Sequence, residues 1–435
     1  MSGFTFRNSF LPLLAGMALL FNSGCLRDQC EATRTYRLWK PRYVLAEEFR
    51  KPIAATAARE LCEPGQLYYY NDYLLIAEKG EGVHIIDNRE PASPVFVGFL
   101  PIDGAEDMAV YNGFLYVNNY FDLVVFNLSD PRNPQYVSRL EEAFPLMGAY
   151  NQGIGYLVGY DETNETVEVD CSDPRINTNF FWRNDMTGIF VDVAFDLANV
   201  AENNSGSNSG SPVTGIGGSL ARFTVASGHL YVIDEWSMRL FDLAQPGSPQ
   251  RGNTIFIGWG IETIFPYNNN LFIGSQTGMF IYDNSNPQAP VQLGVFQHAR
   301  ACDPVFASGD RAYVTLRDGT TCDNFINQLD VVDISDLRNP RLIRTHPMHH
   351  PIGLSLAGEQ LFICEDEQGV KVFDATDDHL IGQRLLARAE GFTARDVITL
   401  PAKKVAIVIG PDGLRQFDFS NRNELKLLST LEICR

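Results

Sequence analysis

Short runs in which apolar and polar residues alternate dominate the chain from about residue 66 to its end. The stretch YLLIAEKGEGVHIIDN (73–88) is typical, with an apolar run, a glycine turn, a second alternating run and a closing Asp-Asn pair. Related stretches are FLYVNNYFDLVVFNLSDPRNP (114–134), HLYVIDEWSMRLFDLAQPGSP (229–249), NLFIGSQTGMFIYDNSNPQAP (270–290), QLDVVDISDLRNP (328–340), QLFICEDEQGVKVFDAT (360–376) and KVAIVIGPDGLRQFDFS (404–420). A period of two puts successive side chains on opposite faces, so these runs predict β-strands rather than helices. The closing Asp or Asn falls at 87, 127, 170, 242, 283, 333, 374 and 418, with gaps of 40, 43, 72, 41, 50, 41 and 44 residues. Short strands recurring every ~40–45 residues predict an all-β ring of four-stranded antiparallel blades, a β-propeller. In the first unit the strands are expected near 66–72, 73–78, 82–88 and 94–100. The closing Asp or Asn accepts turn N–H groups, and the prolines that often follow limit further pairing.

Eight closing positions predict eight blades. The third unit departs from the rest: GYLVGYDETNETVEVDCSDP (155–174) supplies only two strands, and a tract ending in ENNSGSNSGSPVTGIGG (202–218) follows it. Gly, Ser and Asn in that density read as a flexible insertion, placed near 196–219. If the unit is only an insertion, the alternative is seven blades.

The N-terminus carries an address. Arg7 is the one charge before Arg27, and an apolar run of about a dozen residues extends from Phe10 to Phe21. That is shorter than the ~20 residues a membrane-spanning helix needs. Asn22-Ser23-Gly24 then precede Cys25, which resembles the lipobox of bacterial lipoproteins. The expectation is a lipoprotein signal peptide over 1–24, a lipidated N-terminus and tether over 25–61, and one propeller over 62–435. The segments LVVFNLSDP, LDVVDISD and VHIIDN resemble the LVIVD repeat of bacterial surface and periplasmic propellers. Lipobox, tether (CEATRTYRLWKPRYV) and repeats together are similar to lipoproteins of Bacteroidetes-type bacteria carrying that repeat. The resemblance implies an exported protein of the bacterial cell envelope, lipid-anchored, with the outer membrane the favoured site. It implies nothing about chemistry, since propellers host many unrelated activities.

Charge and cysteines narrow the picture. Lys and Arg number 34 against 53 Asp and Glu, a net charge of −19, and no basic run occurs. A nucleic-acid binder needs a basic surface, so that class is excluded. An exported chain can form disulfides. Cys62 stands just before the first strand and Cys434 just after the last, points that meet in a closed ring, so a Cys62–Cys434 bridge is expected. Cys302 opens the inner strand of the sixth unit and Cys322 lies in its second-to-third-strand loop, which makes them a second candidate pair. Cys364 competes for that pairing, and Cys30 and Cys171 have no assignable partner. No C-x-x-C zinc pattern occurs.

Loops before the inner strands and after the second strands should meet at one face of the ring, around a central funnel. Glu106, Asp107, Asp234, Glu262, Asp303, Glu365 and Asp396 fall in them and are the ligand-binding candidates. Such carboxylates would favour cationic or polyhydroxyl ligands, although loop tips are polar by default. Trp236, Trp259, Tyr120 and Tyr160 fall at or near the same face. His346, His349 and His350 lie in a Pro-pinned loop. Adjacent imidazoles in extended chain point apart, so this reads as an exposed loop rather than a metal site. There is no G-x-S-x-G, P-loop, dinucleotide or H-E-x-x-H motif, so no catalytic residue, metal or cofactor is assigned. Two functions remain: a membrane-tethered binding or scaffolding propeller for a protein or glycan, and, as the alternative, an envelope hydrolase or lyase acting on glycans with funnel carboxylates.

Overall fold

The computed structural model describes residues 31–145, 150, 153–170, 215–298, 304–318 and 327–434. The chain divides into two units, 1–42 with 159–189 and 43–158 with 190–435. In the first, the described residues belong to two strands, Glu31–Val44 and Tyr156–Asp170, paired in a two-stranded sheet. An ion pair at 3.8 Å joins Arg42 to Asp161.

Among the described residues the second unit contains seven antiparallel sheets, each with four strands consecutive in the chain. They span residues 64–101, 108–140, 223–256, 261–297, 305–347, 354–389 and 396–431, numbered here as blades 1 to 7. Inner strands of neighbouring blades touch in chain order, and the inner strand of blade 1 meets the second strand of blade 7, which closes the ring. The expected strands of the first unit appear at Pro64–Tyr70, Tyr73–Glu78, Gly82–Asp87 and Val95–Pro101.

Among the described residues there are seven blades, the alternative, and not the favoured eight. The unit ending at Asp170 forms the single strand Tyr156–Asp170 instead of a blade. A blade's second strand is buried on both faces, as in FLYVNN (Phe114–Asn119), where every residue after Phe114 is buried. The run YDETNETVEVD (160–170) interleaves acids and threonines instead. Charged groups without partners are costly between two packed sheets.

The closing Asp or Asn performs the same task in every blade. A side-chain oxygen of Asp87, Asn127, Asp242, Asp283, Asp333, Asp374 and Asp418 accepts the backbone N–H two residues on, at 2.7–3.3 Å. The pairing of third with outer strand contains a bulge in all seven blades. Each bulge sharpens the local twist and bends the exposed outer strand. The turn after the third strand also binds the neighbouring blade. Tyr116 donates to the Pro246 carbonyl (2.8 Å) and Tyr231 to the Pro287 carbonyl (2.9 Å).

Closure uses the termini. Cys62 and Cys434 are joined by a disulfide. The Leu61–Ile433 pair forms one parallel bridge, and the Cys434 N–H donates to the Leu61 carbonyl at 2.6 Å. Each end blade keeps its own four strands, so closure depends on side-chain and terminal contacts. Asn88 of blade 1 and Gln416 of blade 7, both fully buried, exchange two amide hydrogen bonds of 2.8 and 2.7 Å. The end of the expected tether is part of the body. Arg50 reaches buried Asp122 with bonds of 2.9 and 3.0 Å, and Arg59 stacks over the Phe99 ring at 3.7 Å. Among the described residues no helix is long and apolar enough to cross a membrane.

Candidate functional site

Inner strands line the central channel of a propeller, and here the channel contains chain. Residues 215–223, which lead into blade 3, run across the inner strands. Ile216 and Gly217 pair with Tyr69 and Tyr68 of blade 1, as a fifth strand of that sheet. The Gly215 N–H donates to Val110 of blade 2, and the Ala221 carbonyl accepts from Ile264 of blade 4. Ser219 Oγ accepts the Leu354 N–H of blade 6 at 2.7 Å, and the Ser219 N–H points to Asp396 Oδ1 of blade 7 at 3.4 Å. Ser219, Leu220 and Ala221 are buried. Gly215 is required for the close approach, because a Cβ there would lie 2.1 Å from the Tyr68 ring. The insertion expected near 196–219 therefore ends in a fixed plug, at least over residues 215–219.

The plug explains two of the expected ligand-binding carboxylates. Asp107 is buried, and its Oδ2 accepts the N–H groups of Arg222 (2.6 Å) and Phe223 (3.0 Å) while Oδ1 accepts that of Met108. Burial pushes its pKa up to about 7, against the opposing pull of those amides and of Arg222. Asp396, buried in blade 7, accepts the Val397 N–H at 2.7 Å in addition to Ser219. Glu365 is buried too, paired with Lys371 and accepting the His349 N–H at 3.2 Å. Asp234 caps its own turn, accepting from Trp236 N, Ser237 N and Ser237 Oγ at 2.7–2.9 Å. Glu106 is exposed on the loop face; crowding by protein raises its pKa, opposed by Arg222 and Lys79. Glu262 is half-buried and accepts from Gln276 Nε2 at 3.1 Å. The structure brings Asp107 and Asp396 to the plug; Glu106 shares the Asp107 loop, Asp234 and Glu262 flank the hydrogen-bonded junction of blades 3 and 4, and Glu365 stands at a cleft of its own. Asp303, Cys25, Cys302 and Cys322 lie outside the described residues.

The loop face also has an open cleft of about 360 Å³, lined by Asn327, Met348, His349, His350, Glu365, Asp366 and Glu367. His350 Nδ1 lies 3.3 Å from Asp366 Oδ2, and its Nε2 lies 3.2 Å from the Asp318 carbonyl. Asp366 raises the His350 pKa above its ordinary value, against burial and the nearby Arg317 charge. His350 in turn lowers the Asp366 pKa, against burial. His349 is exposed and His350 partly so, and both residues line the cleft; His350 (φ +51°) and Asp366 (φ +48°) have left-handed backbone where the two loops face it. A glutamate-aspartate loop facing a histidine pair was legible as composition, but not as one wall. Among the described residues no group of three or more His, Cys, Asp or Glu is placed to hold a metal ion.

Of the aromatics expected near this face, Trp236 and Trp259 are exposed at its surface. Tyr120 packs edge-on against Phe49 at 5.4 Å, and Tyr160 belongs to the long strand of the other unit.

Comparison with known proteins agrees with this architecture. The LVIVD repeat profile matches residues 66–100, 104–141 and 299–346, so the chain carries LVIVD repeats, which fall on blades 1, 2 and 5. No curated protein matches the chain. Among solved structures it is similar to a putative 6-phosphogluconolactonase from Bacteroides fragilis, at 11% identity over 85% of this chain and 95% of that one, with a TM-score of 0.53. A protein from Lactobacillus plantarum is similar at 12% identity over 85% and 96%, TM-score 0.52. A protein from Desulfotomaculum acetoxidans is similar at 11% over 83% and 95%, also 0.52. At these identities the likeness shows the propeller fold alone.

Proposed function

We propose that this chain is a non-enzymatic binding or scaffolding propeller of the bacterial envelope, tethered to a membrane by lipid on Cys25 and presenting its loop face to a protein or glycan. One observation carries the reading: the buried carboxylates among the candidates are engaged inside the protein. Asp107 and Asp396 hold the plug, and Glu365 pairs with Lys371. A glycosidase acting through two carboxylates needs them on either side of a substrate at a defined separation. Carboxylates holding backbone amides in a filled channel serve the fold instead, and recognition falls to the surrounding loops.

The hydrolase or lyase reading has one observation in its favour, the His350–Asp366 pair beside exposed Glu367 in an open cleft. Incubation with a panel of cell-envelope glycans separates the two. We expect retention of a ligand without new reducing or unsaturated ends. Cleavage that disappears in Asp366→Asn would replace the binding reading. The tether is tested by fractionation and mass spectrometry. Wild type should carry a diacyl- or triacylglyceryl mass on Cys25 and sediment with membranes, and Cys25→Ala should do neither.

A further inference from the structure

Among the described residues four large aromatics are exposed, Tyr150, Trp236, Phe256 and Trp259, and the last three stand on two touching loops. Trp236 (45% exposed) lies between the second and third strands of blade 3. Phe256 (72%) ends the outer strand of that blade, and Trp259 (37%) lies in the connection to blade 4. The loops are locked together: the N–H groups of Ile257 (2.9 Å) and Gly258 (3.2 Å) donate to the Trp236 carbonyl, and that of Ile261 donates to the Glu235 carbonyl (3.2 Å). Gly258 (φ +154°) and Gly260 (φ +73°) flank Trp259, and their backbone angles, which favour glycine, let the chain bend there.

Blade architecture does not call for these rings. The exposed aliphatics Val95, Val291, Leu342, Leu385 and Leu427 occupy matching places at or near the start of outer strands and belong to the repeat. Among the described residues an exposed aromatic cluster occurs at one blade junction. The loop equivalent to that of Trp236 is Gln276-Thr277 in blade 4 and Pro411-Asp412 in blade 7; in blade 2 it is Tyr120-Phe121, whose rings pack against Phe49 and Tyr156 instead of standing exposed.

We propose that Trp236, Phe256 and Trp259 form a carbohydrate-binding platform, with Glu235, Glu262 and Gln276 as hydrogen-bonding partners for sugar hydroxyls. This rests on the reading of the loop face as a binding surface. Exposed indole and phenyl faces match the C–H face of a pyranose, which leaves water at little polar cost. The nearby carboxylates of Glu235 and Glu262 are acceptors, and hydroxyl groups are their matching donors. Both carboxylates are half-buried beside the rings, and Glu262 is already oriented by Gln276. An anionic ligand is disfavoured by these charges and by the net charge of −19. Loops fixed by backbone hydrogen bonds have little ordering entropy to lose on binding.

The test titrates the full chain with chitohexaose, cellohexaose and laminarihexaose, followed by calorimetry and tryptophan fluorescence. At least one hexasaccharide should bind and perturb the fluorescence. Trp236→Ala and Trp259→Ala should each weaken binding tenfold or more, and Glu262→Gln several-fold, with melting temperatures unchanged. Binding that persists in the double tryptophan variant overturns the platform and leaves the binding-propeller reading standing. The absence of hexasaccharide binding at millimolar concentration overturns the platform. So does tetramethylammonium binding that the tryptophan variants abolish, since that marks a cation site. A dimer that dissociates in the tryptophan variants overturns it too, because the rings would then bury each other. Cleavage of the sugars would instead overturn the binding reading itself.

Discussion

At the end of each third strand the same bond is made seven times; in the channel each bond is made once. The turn bonds are local, from an Asp or Asn side chain to the N–H two residues later. Most of these carboxylates and amides are solvent-accessible, and two of the carboxylates, Asp87 and Asp374, also hold an arginine of the next blade's turn, Arg132 at 2.7 Å and Arg422 at 2.8 Å. The plug bonds join residue 222 to 107 and residue 219 to 396, far apart in sequence and out of water. The difference teaches how labour is divided in a repeat ring. Repeated residues shape each blade by itself, while a segment outside the repeat decides whether the axis is open and which acids are available to a ligand.

The largest effect should come from the ring closure, which like the plug joins distant positions. Cys62→Ser opens a loop with a sequence separation of 372 residues. Removal of the bridge should cost up to about 6 kcal/mol in the loop-entropy account. Thermal melting with and without reductant measures this, and a wild-type melting temperature indifferent to reductant would show that the Leu61–Ile433 pairing suffices. Next is Asp107→Ala, which leaves the amides of Arg222 and Phe223 without their acceptor in a buried place. A cost of about 3 kcal/mol is expected in urea unfolding. A loss below 1 kcal/mol would mean that the plug is held by its apolar contacts alone.

The same residue sharpens the contrast through pH. The Asp107 pKa is pushed up to about 7, whereas an unfolded aspartate titrates near 4. Between about pH 4 and 7 the folded chain therefore holds a proton that the unfolded chain has lost. Its contribution to stability falls as pH rises through that window, by at most about 1.4 kcal/mol per pH unit. Urea unfolding at pH 4.5 and 7 should show a steeper decline for wild type than for Asp107→Asn; parallel lines would contradict the assignment. The smallest effect belongs to a single repeat turn. Asp283→Ala should cost about 1 kcal/mol or less, since its bonds to Ser285 are exposed and water can replace them. Amide exchange confined to blade 4 would confirm that the turn is local, and faster exchange in the plug would contradict it.

The repeat was legible because its signals are short-range. Strand boundaries in blade 1 differ from expectation by one or two residues, and every closing Asp or Asn that belongs to a blade ends a third strand. Asp170 shows the limit of counting: it fits the period and ends a strand, but the acid-rich run before it is unsuited to packing between blades. The Gly/Ser/Asn tract identified an insertion without showing that residues 215–219 return to the axis, because hydrogen bonds to five blades leave no periodic trace. The cleft at His349 and His350 was not legible, because its other wall, Glu365 to Glu367, comes from a separate loop and the left-handed backbone at His350 has no sequence signal.

By itself the amino-acid sequence determined the kind of blade, the place of each turn and the meeting of Cys62 with Cys434. These follow from the period of side chains along a strand and from the ends of any closed ring. Only the tertiary structure decided the number of blades, the filling of the channel and the burial of Asp107, Asp396 and Glu365. Those outcomes depend on which distant groups meet once the ring closes, and on the cost of removing each charge from water, neither of which is carried by any short stretch of chain.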